Sequence, residues 1–260
     1  MDNINKTLYI PLYGKSFVSK KGIILQDPKA EEIWAAEGFP LKGKSASKWL
    51  AYYMGMRSAV FDRWATQKMQ ENPEAAVLHL GCGMDSRVLR IGNHGVWFDV
   101  DFPEVIAQRR RYYEESKTYK MIASDIRDGA WLEEIPGNCA IVLMEGISMY
   151  LKPEELKAVL ENLTGRFEKV QILMDCYTEF AAKASKYRNP INDVGVTEVY
   201  GLDDPEVLTG ETICFCKSHE ITPQDLIDQL QGLEKKIFRK LYAGSIADKM
   251  YRLYEFEGAK

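Results

Sequence analysis

The chain is poor in the residues that build metal centres. Its 260 residues hold only three histidines, His79, His94 and His219, far apart and outside any H-x-x-x-H or H-E-x-x-H pair, so no zinc site is expected. The five cysteines are an odd number, and three lie in or beside apolar strand-like runs, where a thiol behaves as a small hydrophobe. That usage favours a reducing, cytoplasmic setting over a disulfide framework. Cys214-x-Cys216 lacks a second pair and reads as structural rather than as a metal clip. No apolar run approaches the roughly 18 residues that a transmembrane helix needs, and no signal-peptide core opens the chain, so no membrane association is expected. Positive charge is not in excess: the net charge of -4 argues against a nucleic-acid partner. A G-x-x-x-x-G-K-[ST] loop is absent, and Gly146-Ile147-Ser148-Met149-Tyr150 lacks the closing glycine of a nucleophile elbow. P-loop and serine-hydrolase chemistry therefore drop out.

What is present is an ordinary globular composition, 46% hydrophobic and 28% charged, without repeats or low-complexity tracts. The length fits one large α/β domain, and a single one over 1–260 is expected. Residues 1–74 read as a helical cap, with helices around 30–37 and 47–70 joined by loops that contain Gly14, Gly22, Gly38 and Gly43. From Ala75 the pattern alternates. Strands are expected at 75–80, 96–100, 119–124, 139–144 and 170–176, and helices at 84–91, 103–116, 129–134 and 153–167. Such alternation predicts βαβ units and a mainly parallel sheet, and the continuous apolar run Ala140–Met144 fits a strand covered on both faces. The cofactor-binding core would be 75–176. Residues 177–217 read as an irregular insert or lid, with turn signals at Asn189-Pro190 and Gly201–Pro205. The segment 218–260 closes the domain with a helix over 222–231 and strands at 236–242 and 251–256. Arg109-Arg110-Arg111 is read as a solvated helix face.

The stretch Val77-Leu78-His79-Leu80-Gly81-Cys82-Gly83 ends a strand in two glycines, where a ligand can approach the backbone. Ser86 stands where a dinucleotide fold has its third glycine, which counts against a nicotinamide or flavin enzyme. Asp101 lies 20 residues past Gly81, the spacing of a ribose-binding acid; Asp99 is either its supporting partner or a cap or edge residue. Asp125 follows the third strand and Glu145 the fourth. In an open parallel sheet the ligand crevice lies outside the carboxyl ends of the strands, so Gly81, Asp101, Asp125 and Glu145 converge on one rim. A nucleoside ligand follows. A glutamate after five apolar residues is also costly to bury without a partner.

These pieces resemble the leucine carboxyl methyltransferase family, which includes the tetracenomycin-type polyketide O-methyltransferases. The likeness rests on Leu80–Arg87, Phe98–Pro103, Ser124–Asp128 and Glu145–Leu151, in that order. It implies a Rossmann-like class I methyltransferase fold with a mainly parallel seven-stranded sheet, an antiparallel last strand and a helical N-terminal cap. It further implies S-adenosylmethionine as cofactor, with Gly81, Gly83, Asp101, Asp125, Ile126 and Glu145 at its site. Cys82 and Ser86 depart from the family's usual small residue and threonine without removing a needed group. By the same resemblance, basic residues of the cap would hold the cofactor's carboxylate: Arg57 in Met56-Arg57-Ser58-Ala59, with Lys15 a looser candidate and Arg63 the competitor of Arg57. A guanidinium suits that task because it binds carboxylates bidentately. The expected reaction is methyl transfer to a carboxylate or hydroxyl of a small-molecule acceptor. Residues 1–55 and 177–217 would form the acceptor pocket, lined by Tyr9, Tyr13 and Tyr150. The alternatives are a non-catalytic nucleoside-binding scaffold and an NAD(P)-linked oxidoreductase.

Overall fold

Two helices notched by glycine set the N-terminal cap. The computed structural model describes residues 6–92, 95–188 and 198–260. Helix α1 (Tyr9–Lys20) crosses α3 (Lys48–Glu71), with α2 (Pro28–Glu37) packed beside α1. A Cβ on Gly14 would meet the Met54 Cβ at 2.7 Å, and one on Gly55 would meet Val18 Cγ2 at 2.9 Å. Each glycine thus admits the other helix. This overturns the expected loop around Gly14: the residue marks a close helix crossing, not a break. Helix α2 begins as its composition dictates, with Asp27 accepting from the Ala30 N–H, proline at its first position and left-handed Gly38 after its end.

The seven strands form one sheet in the order β3-β2-β1-β4-β5-β7-β6. They are β1 (Ala76–Leu80), β2 (Trp97–Asp101), β3 (Tyr119–Ala123), β4 (Cys139–Met144), β5 (Lys169–Tyr177), β6 (Ile213–Ser218) and β7 (Tyr251–Ala259). The first five pair in parallel, and β7 lies antiparallel between β5 and β6. The chain runs outward from β1 through β2 and β3, then returns to the other side of β1 with β4. That reversal opens a crevice at the carboxyl ends of β1 and β4. The central strands are buried along their length, which is why they read as continuous apolar runs.

Several expected elements differ. Residues 236–242 are not a strand but part of a helix (Gly232–Leu241), with Glu234 in its first turn and Arg239 and Lys240 in its last, a charge order that suits the helix dipole. The sixth strand is instead β6, inside the segment read as an insert. It is an edge strand, mostly exposed, with a register irregularity between Phe215 and Lys217, and its apolar run is confined to 213–216. The helix expected at 84–91 shortens to Arg87–Arg90, because the Asp85 carboxylate takes the Arg87 N–H. The helix expected at 103–116 ends at Arg109 as α4 (Pro103–Arg109). The turn at Asn189-Pro190 and the residue His94 lie outside the described residues.

Candidate functional site

The crevice is a cavity of about 230 Å³. The eight residues expected at the cofactor site line it: Lys15, Arg57, Gly81, Gly83, Asp101, Asp125, Ile126 and Glu145.

The floor is the glycine turn. Gly81 has φ +63° and Gly83 φ +50°, in the left-handed region that β-carbons resist. A Cβ on Gly81 would stand 2.1 Å from Ile147 Cγ2, so the turn packs against Ile147 with no room for a side chain. Asp101, the last residue of β2, bends over this turn. Its Oδ2 accepts from the Gly83 N–H at 2.7 Å and its Oδ1 from the Phe102 N–H at 2.8 Å. Burial pushes its carboxyl up to about 6, the two backbone donors only partly opposing the rise. Asp125 lies two residues beyond β3, and its hydrogen bonds from Arg127 hold it below the usual carboxylate range.

Arg57 descends from α3 and is 3% exposed. It donates to Glu145 Oε1 at 3.1 Å and to Asp175 Oδ2 at 2.7 Å. Glu145 also accepts from Ser58 at 2.8 Å and from Arg87. Burial alone would raise the Glu145 carboxyl; the guanidiniums of Arg87 and Arg57, with Lys15, overcome it and hold it at about 2. Asp175 behaves oppositely: burial raises it in spite of Arg57 and the Gly146 N–H. Lys15, 3% exposed on α1, pairs with Asp85 at 2.9 Å. This end of the crevice therefore holds cations and anions together, a setting for a zwitterion rather than a single charge.

Sequence reasoning missed several of these partners. Asp175 is embedded in the apolar part of β5, and Asp85 and Arg87 fall in the expected helix 84–91 without a partner in view; only the pairing of strands and cap brings them to Glu145 and Lys15. Arg63, the competitor of Arg57, is exposed and bonds Asp225 away from the cavity. The reading of Arg109 as solvated is corrected: it is fully buried and pairs with Asp99 at 2.5 Å. Tyr119, Trp97 and His79 also contact Asp99, and the Arg109 guanidinium holds its carboxyl down against burial. Asp99 is thus a structural support beneath Asp101. Of the three expected lining tyrosines only Tyr150 faces the cavity; Tyr9 stacks on Phe39 and bonds Glu37, and Tyr13 bonds the Ala46 carbonyl. Tyr177 and Tyr251 line it instead. No group of three or more metal-ligating side chains occurs among the described residues, and the Cys214-x-Cys216 pair sits exposed on β6.

The comparisons with known proteins agree with this architecture. The chain is 28% identical over 213 residues to the tetracenomycin polyketide synthesis O-methyltransferase TcmP of Streptomyces glaucescens, covering 80% of this chain and 78% of that protein. It is 29% identical over 182 residues to the S-adenosyl-L-methionine-dependent methyltransferase dpfgK of Gibberella zeae, covering 64% of this chain and 61% of that one. Among solved structures, the magnesium protoporphyrin IX methyltransferase of Synechocystis PCC 6803, with bound SAH, superposes with a TM-score of 0.50 at 11% identity over 88% of this chain and 93% of its own, a likeness of fold. The leucine carboxyl methyltransferase family model matches residues 4–164, more than half of the sequence and the whole stretch from α1 to the sheet's central strands. The chain belongs to the leucine carboxyl methyltransferase family, and it is a methyltransferase.

Proposed function

We propose that this methyltransferase takes its methyl group from S-adenosylmethionine and delivers it to an oxygen, carboxylate or hydroxyl, of a small-molecule acceptor. The observation that carries this proposal is the meeting of the left-handed Gly81–Gly83 turn, the Asp101 carboxylate and the Arg57–Glu145 pair in one cavity. The residues fit the cofactor. Asp101 has lone pairs left for both ribose hydroxyls, since each oxygen accepts only one backbone bond. Gly81 and Gly83 leave the backbone open to the nucleoside, and Asp125 and Ile126 flank the place of the base. Lys15 and Arg57 would take the carboxylate of the methionine end, and Glu145, ionised down to about pH 2, its ammonium. When bound, the cofactor supplies a methyl group on a positively charged sulfur.

The protein's own task is to hold the acceptor oxygen in line with that methyl and to exclude water, and such positioning accounts for much of the rate in reactions of this kind. The name of the Streptomyces relative supports oxygen as the acceptor atom. The cap (1–74) supplies Lys15 and Arg57, the core (75–176) the strand-end rim, and Tyr177 and Tyr251 the far wall, so we treat 1–260 as one working unit. The free thiols, Cys82 and Cys176 buried among them, suit a cytoplasmic setting.

Calorimetric titration with S-adenosylmethionine, S-adenosylhomocysteine and NAD tests the cofactor. Micromolar binding of the first two and none of NAD is expected; the reverse order would overturn the assignment. Transfer of labelled methyl to members of a panel of phenols, carboxylic acids and amines then tests the acceptor class, and exclusive labelling of amines would remove oxygen from the proposal.

A further inference from the structure

Residues 7–12 roof the cavity. Thr7, Leu8, Ile10, Pro11 and Leu12 line it, the last three from the first turn of α1. Leu8 lies over the glycine turn, since a Cβ on Gly83 would meet the Leu8 Cβ at 3.3 Å. Phe102 and Val105, at the start of α4, wall the same region beside Asp101. A nucleoside held at Gly83 and Asp101 is therefore bounded by this roof and this wall.

Glu37, the last residue of α2, ties the two together from outside the cavity. Its Oε2 accepts from the Tyr9 hydroxyl at 2.9 Å and from Gln108 Nε2 at 2.8 Å, and Gln108 Nε2 also donates to the Tyr9 oxygen at 2.8 Å. Its Oε1 accepts from the Tyr112 hydroxyl at 2.5 Å and pairs with Arg111 at 3.4 Å. Tyr9 sits in the roof between Leu8 and Ile10, and Gln108 lies one helical turn after Val105. Left-handed Gly38 then turns the chain so that Phe39 stacks on the Tyr9 ring, centroids 4.1 Å apart. The end of α2 thus grips Tyr9 at its hydroxyl and at its face.

Nothing in α2 itself calls for an acid here. A carboxylate in the last turn of a helix opposes the helix dipole, and no basic residue shares that turn. Gln108 is committed to the cluster at a cost of its own: its amide hydrogens face Glu37 and Tyr9 while its buried Oε1 has no hydrogen-bond partner. Burial opposes ionisation of Glu37, but the hydrogen bonds from Tyr112 and Tyr9 and the charge of Arg111 outweigh it and hold the carboxyl below its ordinary range. The tie is made of charge-assisted bonds, the stronger kind.

We propose that Glu37 is a positioning residue for cofactor exchange: its hold on Tyr9 keeps residues 7–12 closed over the bound cofactor and sets the rate at which the spent cofactor leaves. The inference rests on the S-adenosylmethionine site above. Glu37 touches neither cofactor nor acceptor and acts through Tyr9. Loosening it therefore speeds entry and departure together and leaves the equilibrium affinity nearly unchanged.

Labelled S-adenosylhomocysteine, bound to the full chain and chased with excess unlabelled compound, reports the departure rate; equilibrium titration reports Kd. Glu37→Ala should speed departure about tenfold, as expected for losing hydrogen bonds to a charged group, with Kd held within about threefold. Tyr9→Phe loses the hydroxyl but keeps the stack on Phe39. It should speed departure by a similar factor, and it decides the test if the alanine variant does not fold. The double variant should be no faster than the faster single one, because both break one contact. Glu37→Gln retains an acceptor and should fall between Glu37→Ala and wild type. Glu32→Ala, which breaks an exposed pair with Lys29 on the same helix, should release at the wild-type rate. Wild-type departure rates in Glu37→Ala and Tyr9→Phe, or a Kd weakened in full proportion to faster departure, would overturn the role of Glu37 and leave the cofactor assignment standing. Failure of wild type to bind S-adenosylhomocysteine would overturn both.

Discussion

Arg57 and Glu145, 88 positions apart in the sequence, meet at 3.1 Å beneath the cap with both side chains buried. Asp175 completes the arrangement from the neighbouring strand at 2.7 Å. The guanidinium is therefore a bolt between α3 and the strand ends as well as a wall of the cavity. Arg57→Ala leaves two buried carboxylates short of their cation, and losing one partner of a buried pair typically costs about 3–5 kcal/mol. Urea unfolding should show a loss of that size, whereas Arg63→Ala, on the exposed face, should change stability by less than about 0.5 kcal/mol. Equal effects at the two arginines would remove the bolt.

Asp101 predicts how cofactor binding depends on pH. Its carboxyl is raised from 3.8 to about 6, so the folded protein binds this proton more tightly than the unfolded chain. The stability it contributes is full below about pH 4 and is lost as pH rises through about 6. Ribose hydroxyls are best accepted by the ionised form, so S-adenosylhomocysteine affinity should rise between pH 5 and 7 and then level off. Asp101→Asn should bind at least tenfold more weakly, with a flat profile across that range. Glu145 does not share this window. Held at about 2 against its ordinary 4.5, it contributes stability that is present above about pH 4.5 and fades as pH falls toward 2. Calorimetric titration at half-unit steps checks the prediction, and a wild-type affinity that is level from pH 5 to 7 would contradict it.

What the sequence makes legible and what it hides have physical causes. The inner strands can be read directly because both faces are covered, and the rim residues because each follows such a run at a strand end. Arg57 is legible only through the resemblance, since a single arginine on a helix says nothing of its partner. Asp175 is silent because an acid inside an apolar run reveals neither its face nor its cation. β6 is hidden because its apolar run, 213–216, is only four residues long and lies at an exposed sheet edge, and 236–242 misleads because seven residues fit either period. Helix α1 is hidden by Gly14, whose meaning as a crossing point exists only once α3 lies against it.

Gly81 carries the sharpest steric prediction. Alanine there must take φ +63°, which costs roughly 1–2 kcal/mol, and its Cβ would stand 2.1 Å from Ile147 Cγ2, which adds an overpacking cost of roughly 1–3 kcal/mol. Gly81→Ala should therefore lower stability by about 2–5 kcal/mol and weaken cofactor binding. In the Gly81→Ala/Ile147→Ala double variant the overpacking disappears and the backbone strain stays. A double-mutant cycle by urea unfolding should return a favourable coupling of at least about 1 kcal/mol. Simple additivity would mean that Ile147 moves aside without cost.

Arg109 acts on the cavity without lining it. It pairs with Asp99, two residues before Asp101 on the same face of β2, and its Nη1 donates to the Gly83 carbonyl at 3.0 Å. One guanidinium thus ties the glycine turn to the strand that carries the ribose acid. Arg109→Ala should cost about 3–5 kcal/mol by leaving Asp99 buried without its cation. Arg111→Ala, on the exposed end of the same run, should stay within about 0.5 kcal/mol. Arg109→Lys separates the two duties, because an ammonium can neutralise Asp99 but lacks the planar fork that also reaches Gly83. It should recover part of the stability yet bind S-adenosylhomocysteine several-fold more weakly than wild type. Melting curves and calorimetric titration of the three variants make the comparison, and full cofactor affinity in Arg109→Lys would show that the tie to Gly83 does not govern the site.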